Sequence, residues 1–427
     1  MLHFLKKINS VFFLLLSFAW QASADEIVYE NKTYKSKIHT VMLHQSGLPF
    51  SYPILNLEEG TKLLLSFDDL SDEFTDYSYT LIHCTADWKE SGLNPLEYLA
   101  GFEENELRDF ENSFNTLIPY RHFELSLPNA DVQPKISGNY VLFVYENQDR
   151  SQPVLTRRFY VAEEKLQVVE ASVKRPSRVS FMDKYQELSF KIYDKERRVV
   201  NPLEDLQVSV YQNNDPNFSI TELKPAYIKD NLFEYTDPEK LCFPGGNEFR
   251  YFNSKDTKYL NHNVYAIYFK SPYYFFELLP DSGRCYKSYT YMQDLDGQFW
   301  IEAQSVQNPS LESEYVFTDF TLYQDFTESN SNFYVYGALS NYRLDKKYKM
   351  TYDYNRKAYT LRLLLKQGIY NYAYVFADPE KKNVDFSVVE GSYAETENYY
   401  LILCYYHAPG TQYDRIIGYK IINTIKE

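Results

Sequence analysis

An all-β chain of three consecutive immunoglobulin-like or early-set β-sandwich domains, following a cleaved signal peptide, is predicted by three observations. Tyr (43) and Phe (30) far exceed ordinary usage and favour strands. Short runs of alternating apolar and polar residues recur between Gly, Pro, Asn and Asp signals, and long alanine-rich helical segments are missing. The 427 residues exceed one ordinary domain and suit about three. The stretch FPGGNEFRYF at 243–252 shows the pattern in miniature. Pro244-Gly245-Gly246 reads as a turn, and the strand leaving it should put Phe249 and Tyr251 on one face and Glu248 and Arg250 on the other. A phosphate cradle at the two glycines would need a helix N-terminus, and no helical period follows.

The N-terminus sets the expected compartment. Lys6 and Lys7 precede an apolar run at 11–20, and Ala22-Ser23-Ala24 places small residues where a signal peptidase reads them, so residues 1–24 read as a signal peptide. The run is about half the length that spans a bilayer. No cysteine follows the cleavage site, so no lipid anchor is indicated. Losing two lysines takes the formal charge from −15 to −17. That balance argues against nucleic acid and anionic membrane surfaces as partners, since both require a basic face. A transmembrane barrel would need strands of about 10 residues with an unbroken apolar face. Here charges and prolines cut the strands short.

In the first expected domain, 25–165, strands are predicted at 63–67, 77–84, 122–127, 140–145 and 156–161. Asn94, Pro95 and Glu97 form a capping box around one helical turn, and the acidic segment 103–111 is read as a further helix. No flexible linker separates this domain from the next, so the two should sit end to end. The second domain, 166–305, carries strands at 188–193, 207–212, 263–269 and 299–303. Its aromatic clusters, Tyr273-Tyr274-Phe275-Phe276 and 286–292, suit either a sandwich core or a contact surface. The third domain, 306–427, has strands at 333–339, 348–354, 358–365 and 369–377, with turns at Asn355-Arg356-Lys357, Lys366-Gln367-Gly368 and Asp378-Pro379. Strands at 398–406 and 415–422 should close it, the first as a central strand because both its faces are apolar.

No residue constellation points to catalysis, a cofactor or a metal. His39, His44, His83, His122, His262 and His407 form no ligand pair, and His83 and Cys84, adjacent on a strand, face opposite ways. Asp68, Asp69, Asp72, Glu73 and Asp76 crowd one segment but lack the glycine and distal glutamate of a calcium loop, so they read as a solvated loop. Neither Gly-x-Ser-x-Gly nor His-Glu-x-x-His occurs. Cys242 and Cys285 fall in one expected domain beside turn residues and are read as a disulfide, while Cys84 and Cys404, inside apolar strands, are read as buried thiols.

Several blocks, taken in order, resemble one family. They are Phe67-Asp68-Asp69-Leu70, His83-Cys84-Thr85-Ala86-Asp87-Trp88, Glu97-Tyr98-Leu99-Ala100-Gly101-Phe102, Asn112-Ser113-Phe114-Asn115-Thr116-Leu117, Ser137-Gly138-Asn139-Tyr140, Thr156-Arg157-Arg158-Phe159 and the stretch 243–252. The likeness continues through Val335-Tyr336-Gly337-Ala338-Leu339, the block LKQGIYNY at 365–372 and Glu390-Gly391-Ser392. Together they cover nearly the whole mature chain and resemble the plug proteins of the bacterial type IX secretion system, formerly a domain of unknown function. The resemblance implies a periplasmic, non-catalytic protein at the inner face of the outer membrane. Such a protein caps the periplasmic opening of a very large translocon barrel of the SprA type and keeps it sealed. It implies no cofactor, no nucleic acid, no direct membrane insertion and a monomer when free. The alternative, from a different class, is a glycan-binding module. Residues 333–376 also resemble the early-set sandwich of glycogen-binding domains, where exposed aromatics stack on sugar rings, with Tyr342 standing where such modules usually carry a tryptophan.

Overall fold

The computed structural model describes residues 27–324, 332–377 and 383–425. The signal-peptide reading of 1–24 and the turn at Asp378-Pro379 lie outside the described residues. Almost every element is a strand, and no helix among the described residues is long and apolar enough to cross a membrane.

The first sandwich follows from strict alternation. Leu63, Leu65 and Phe67 of strand Leu63–Asp69 point inward. They pack on Leu81, Leu142 and Phe159 of the facing strands Tyr77–Cys84, Gly138–Glu146 and Pro153–Ala162. The one helical turn, Pro95–Tyr98, carries the expected capping box, with Asn94 Oδ1 accepting from Leu96 N and Glu97 Oε2 from Asn94 N. The acidic segment after it is not helical. Asn105–Leu107 and Phe110–Asn112 are strands, because Asn105 and Leu107 sit two apart and both turn inward, a period that a helix cannot supply.

The strand Pro153–Ala162 continues into the second sandwich through one parallel pair, Ala162 with Ile416. The result is a single ten-stranded sheet shared by both units. Here the pairing departs from the expected order. Strands Tyr399–Tyr406 and Arg415–Asn423 do not close the third sandwich. Tyr399–Tyr406 lies antiparallel to Leu206–Gln212, from Leu206 opposite Tyr406 to Gln212 opposite Tyr400. Tyr400, Ile402 and Cys404 fill the core that Val208, Phe190 and Phe243 also fill. It is a central strand, as its two apolar faces predict, but in the middle sandwich: its other face meets Tyr160 and Tyr211.

The third sandwich is an insertion in the second. Its core combines Phe252, Phe276, Ile301, Phe320, Tyr372 and Val389, so the strands expected at 263–269 and 299–303 belong to it, and a boundary at 305 cuts through it. The chain enters through 245–249 and returns through 391–398, the two crossings lying side by side. Asn398 Nδ2 donates to Gly245 O at 2.9 Å. A Cβ on Gly245 would stand 1.9 Å from the carbonyl oxygen of Tyr393, which is why this position takes glycine. The strand expected at 333–339 stops at Tyr336, where Gly337 turns to φ 144° and a 3-10 turn follows. The one expected at 348–354 is likewise a 3-10 turn and then the short strand Thr351–Asp353.

Candidate functional site

The features with chemical potential lie where the sandwiches meet. Because Leu63, Leu65 and Phe67 point into the first core, Asp68 on the same strand points out of it, toward the third sandwich. Its carboxylate accepts Lys366 Nζ at 2.7 Å and Tyr315 OH at 2.6 Å on one oxygen and meets His122 Nδ1 at 2.6 Å on the other. Asp68 and Lys366 are almost wholly buried. Burial alone would raise the Asp68 carboxyl, but Lys366 and His122 outweigh it and hold the group below the usual range. Lys366 also donates to Ser310 O and sits 4.1 Å from the centre of the Tyr120 ring. Around it, Phe114 N donates to Leu311 O and Leu117 N to Glu314 Oε1, so the 112–117 block is a seam between sandwiches. The expected solvated acidic loop is therefore half right: Asp72, Glu73 and Asp76 are exposed, while Asp68 and Asp69 end a strand and are buried.

A second buried network lies at the crossing into the third sandwich. Arg250 and Glu248, expected on the face opposite Phe249 and Tyr251, are both buried. The Arg250 guanidinium donates to Glu390 Oε1 at 3.0 Å and to Asp281 Oδ1 at 2.6 Å, and Arg284 Nε reaches Glu390 Oε2 at 2.7 Å. Tyr372 and Tyr374 hydroxyls complete Asp281. Burial opposes ionisation of Glu390, yet Arg250 and then Arg284 bring it down to about 2. A residue-level alternation cannot distinguish a solvated charge from one whose counterion arrives 140 positions later.

Between first and middle sandwiches, Arg415 Nη2 donates to both oxygens of Glu163 at 2.6 Å, and Tyr405 OH donates to Asn139 Oδ1 at 2.8 Å. Between middle and third, Tyr336 OH donates to the buried Asp215 at 2.6 Å, and Asn217 Nδ2 to Tyr342 O. Burial pushes Asp215 up to about 7.

His83 is enclosed by the rings of Tyr98, Tyr140 and Tyr413, and burial pushes it down to about 4. Gly138 makes room for it, since a Cβ there would lie 2.4 Å from its Nε2. His262 stacks on Tyr251, and His407 meets Asp414. Among the described residues no three His, Cys, Asp or Glu are grouped to hold a metal. All four cysteines are free. The Cys242–Cys285 bridge is not formed, because Cys242 lies on a strand of the middle sandwich while Cys285 packs in the third, where its N–H donates to Val389 O. Cys84 and Cys404 are the buried thiols expected.

Strand alternation splits the cluster Tyr273-Tyr274-Phe275-Phe276. Phe276 is in the core, whereas Phe275 stacks between Tyr268 and Phe317 on the outer face, under Arg362. The neighbouring edge strand, Val264–Lys270, exposes Tyr265, Tyr268 and Phe269. In the second cluster Tyr286 is 94% exposed. Tyr342 is the reverse: it is 8% exposed and packs edge-on against Tyr336, so its ring is not free to lie on a sugar. A cleft of about 480 Å³ opens at the junction of all three sandwiches, between His44 and Phe50, Asn213 and Tyr399, and Gln298 and Tyr342.

Residues 38–163 match the family described as type 9 secretion system plug protein, 1st domain. No curated protein matches. The crystal structure of a hypothetical protein from Parabacteroides merdae is similar over 93% of this chain and 100% of its own, at 36% identity and a TM-score of 0.90. A DNA glycosylase of Pseudomonas fluorescens, at a TM-score of 0.16 and 11% identity over 29% of this chain and 30% of its own, carries no argument.

Proposed function

The chain belongs to the type 9 secretion system plug family, and from that premise we propose that it caps the periplasmic opening of the outer-membrane translocon barrel, of the SprA type, and keeps it sealed. It acts in the periplasm, at the inner face of the outer membrane, and catalyses no reaction. The observation that carries this reading is the family match over the first sandwich. The geometry suits the task. A stopper must not flex at its joints, and here one continuous sheet joins the first and middle sandwiches while the buried Asp68–Lys366 pair ties the first to the third. Most of the blocks that resemble the family lie at these seams, among them Asp68, 112–117, Asn139, Arg250, Lys366 and Glu390. The exposed aromatic edge at Tyr265, Tyr268 and Phe269 is the surface we assign to the barrel, since aromatics dominate protein contacts. The glycan-binding alternative loses its residue with the burial of Tyr342.

The test has two parts. Tagged protein should recover the barrel from detergent-solubilised outer membranes. Cells lacking the protein should admit large antibiotics, and the leak should vanish when the barrel is deleted as well. Unchanged permeability, with no barrel recovered, would refute the reading.

A further inference from the structure

Beside the central cleft lies a second cavity of about 250 Å³, walled by the first and third sandwiches. Arg157 borders both spaces and is 4% exposed. Its hydrogen bonds run to the carbonyls of Lys32 and Thr156 and to Thr33 Oγ1, and no carboxylate among the described residues lies within ion-pair distance. Nearby acids are already engaged: Asp345 holds Arg343, and Asp68 holds Lys366 and His122. Burial therefore brings the Arg157 guanidinium down to about 9. A buried cation without a counterion costs several kcal/mol, and sequences keep such a group where it serves a site.

The rest of the wall says what would pair with it. Lys347 stands at the exposed rim, and Arg362 is already bound to Asp319. No Asp or Glu among the described residues lines the cavity, in a chain of formal charge −15. The remaining lining sets apolar side chains, Val41, Leu339 and Tyr370 among them, beside the polar Thr40, His39 and Asn341. An apolar cavity of about 150 Å³ takes up benzene, so this one has room for an acyl chain of several carbons.

We propose that this cavity binds a small amphiphilic anion, its carboxylate or phosphate head on the Arg157 fork and its apolar body between the first and third sandwiches. Arginine suits that head because its planar fork donates two parallel hydrogen bonds. The site does not depend on the plug reading.

Calorimetric titration of the full mature protein tests it with three probes: octanoate, octanol and inorganic phosphate. Octanoate should bind saturably, and Arg157→Met should weaken it at least about tenfold, the loss of a charge-assisted hydrogen bond. Lys347→Gln, at the exposed rim, should weaken it severalfold and decides the matter if Arg157→Met does not fold. Octanoate binding that neither substitution changes would overturn the proposal. So would octanol binding as tightly as octanoate, phosphate binding alone, or no saturable binding of any probe.

Discussion

Replacing Lys366 by methionine tests whether the Asp68–Lys366 pair locks the first sandwich to the third. At 2.7 Å and an effective dielectric of about 20, the gross attraction is about 6 kcal/mol. Burying both charges costs a comparable amount, so the intact pair contributes little net stability. Removing one member is different. Lys366→Met leaves the Asp68 carboxylate in the seam with only His122 and Tyr315, and should cost about 3 to 5 kcal/mol. Asp68→Leu strands the ammonium on the Ser310 carbonyl and should cost a similar amount. The double variant, Asp68→Leu with Lys366→Met, should return to within about 2 kcal/mol of the parent, because an apolar pair of similar volume replaces two desolvated charges. Urea unfolding of the mature protein, read as a double-mutant cycle, measures this. Limited proteolysis should show the single variants cut first at 112–120, where the seam opens. Single costs below about 1 kcal/mol, or costs that simply add in the double variant, would refute the argument.

Four further outcomes are expected. Glu390, ordinarily at 4.5 and lowered to about 2, contributes stability that is present above about 4.5 and lost as the pH falls toward 2. Glu390→Gln should flatten acid unfolding across that window, although it destabilises the protein at pH 7 by leaving Arg250 underpaired. Asp215, raised from 3.8 to about 7, contributes stability present below 3.8 and lost as pH rises through 7. Asp215→Asn should therefore raise the free energy of unfolding at pH 8, by at most about 4 kcal/mol. Thiol titration of denatured, unreduced protein should count four free cysteines per chain, and two would restore the Cys242–Cys285 bridge. Tyr268→Asp with Phe269→Asp, on the exposed edge strand, should reduce recovery of the translocon barrel while leaving the free energy of unfolding within about 1 kcal/mol of the parent, and unimpaired recovery would move the contact elsewhere.

Sequence alone was enough for much of what depends on neighbours along the chain. Alternation located Tyr77–Cys84 and the core of Tyr399–Tyr406, and it identified the latter as a central strand. The Asn94, Pro95 and Glu97 triplet specified one helical turn, since a capping box closes within four residues. The ordered blocks led to the family. What alternation cannot specify is the partner. Tyr399–Tyr406 would fit the core of either adjoining sandwich, and only the pairing with Leu206–Gln212 shows that the third unit is inserted in the second. The same limit hid the candidate sites. Asp68, Arg250 and Glu248 look like surface charges in sequence, and they are buried because Lys366, Glu390 and Tyr289 reach them from strands and loops far along the chain. Arg157 shows the limit from the other side. Its isolation from any carboxylate arises only when three sandwiches close around it, so nothing local in Thr156-Arg157-Arg158-Phe159 marks Arg157 as the arginine that is buried without a counterion.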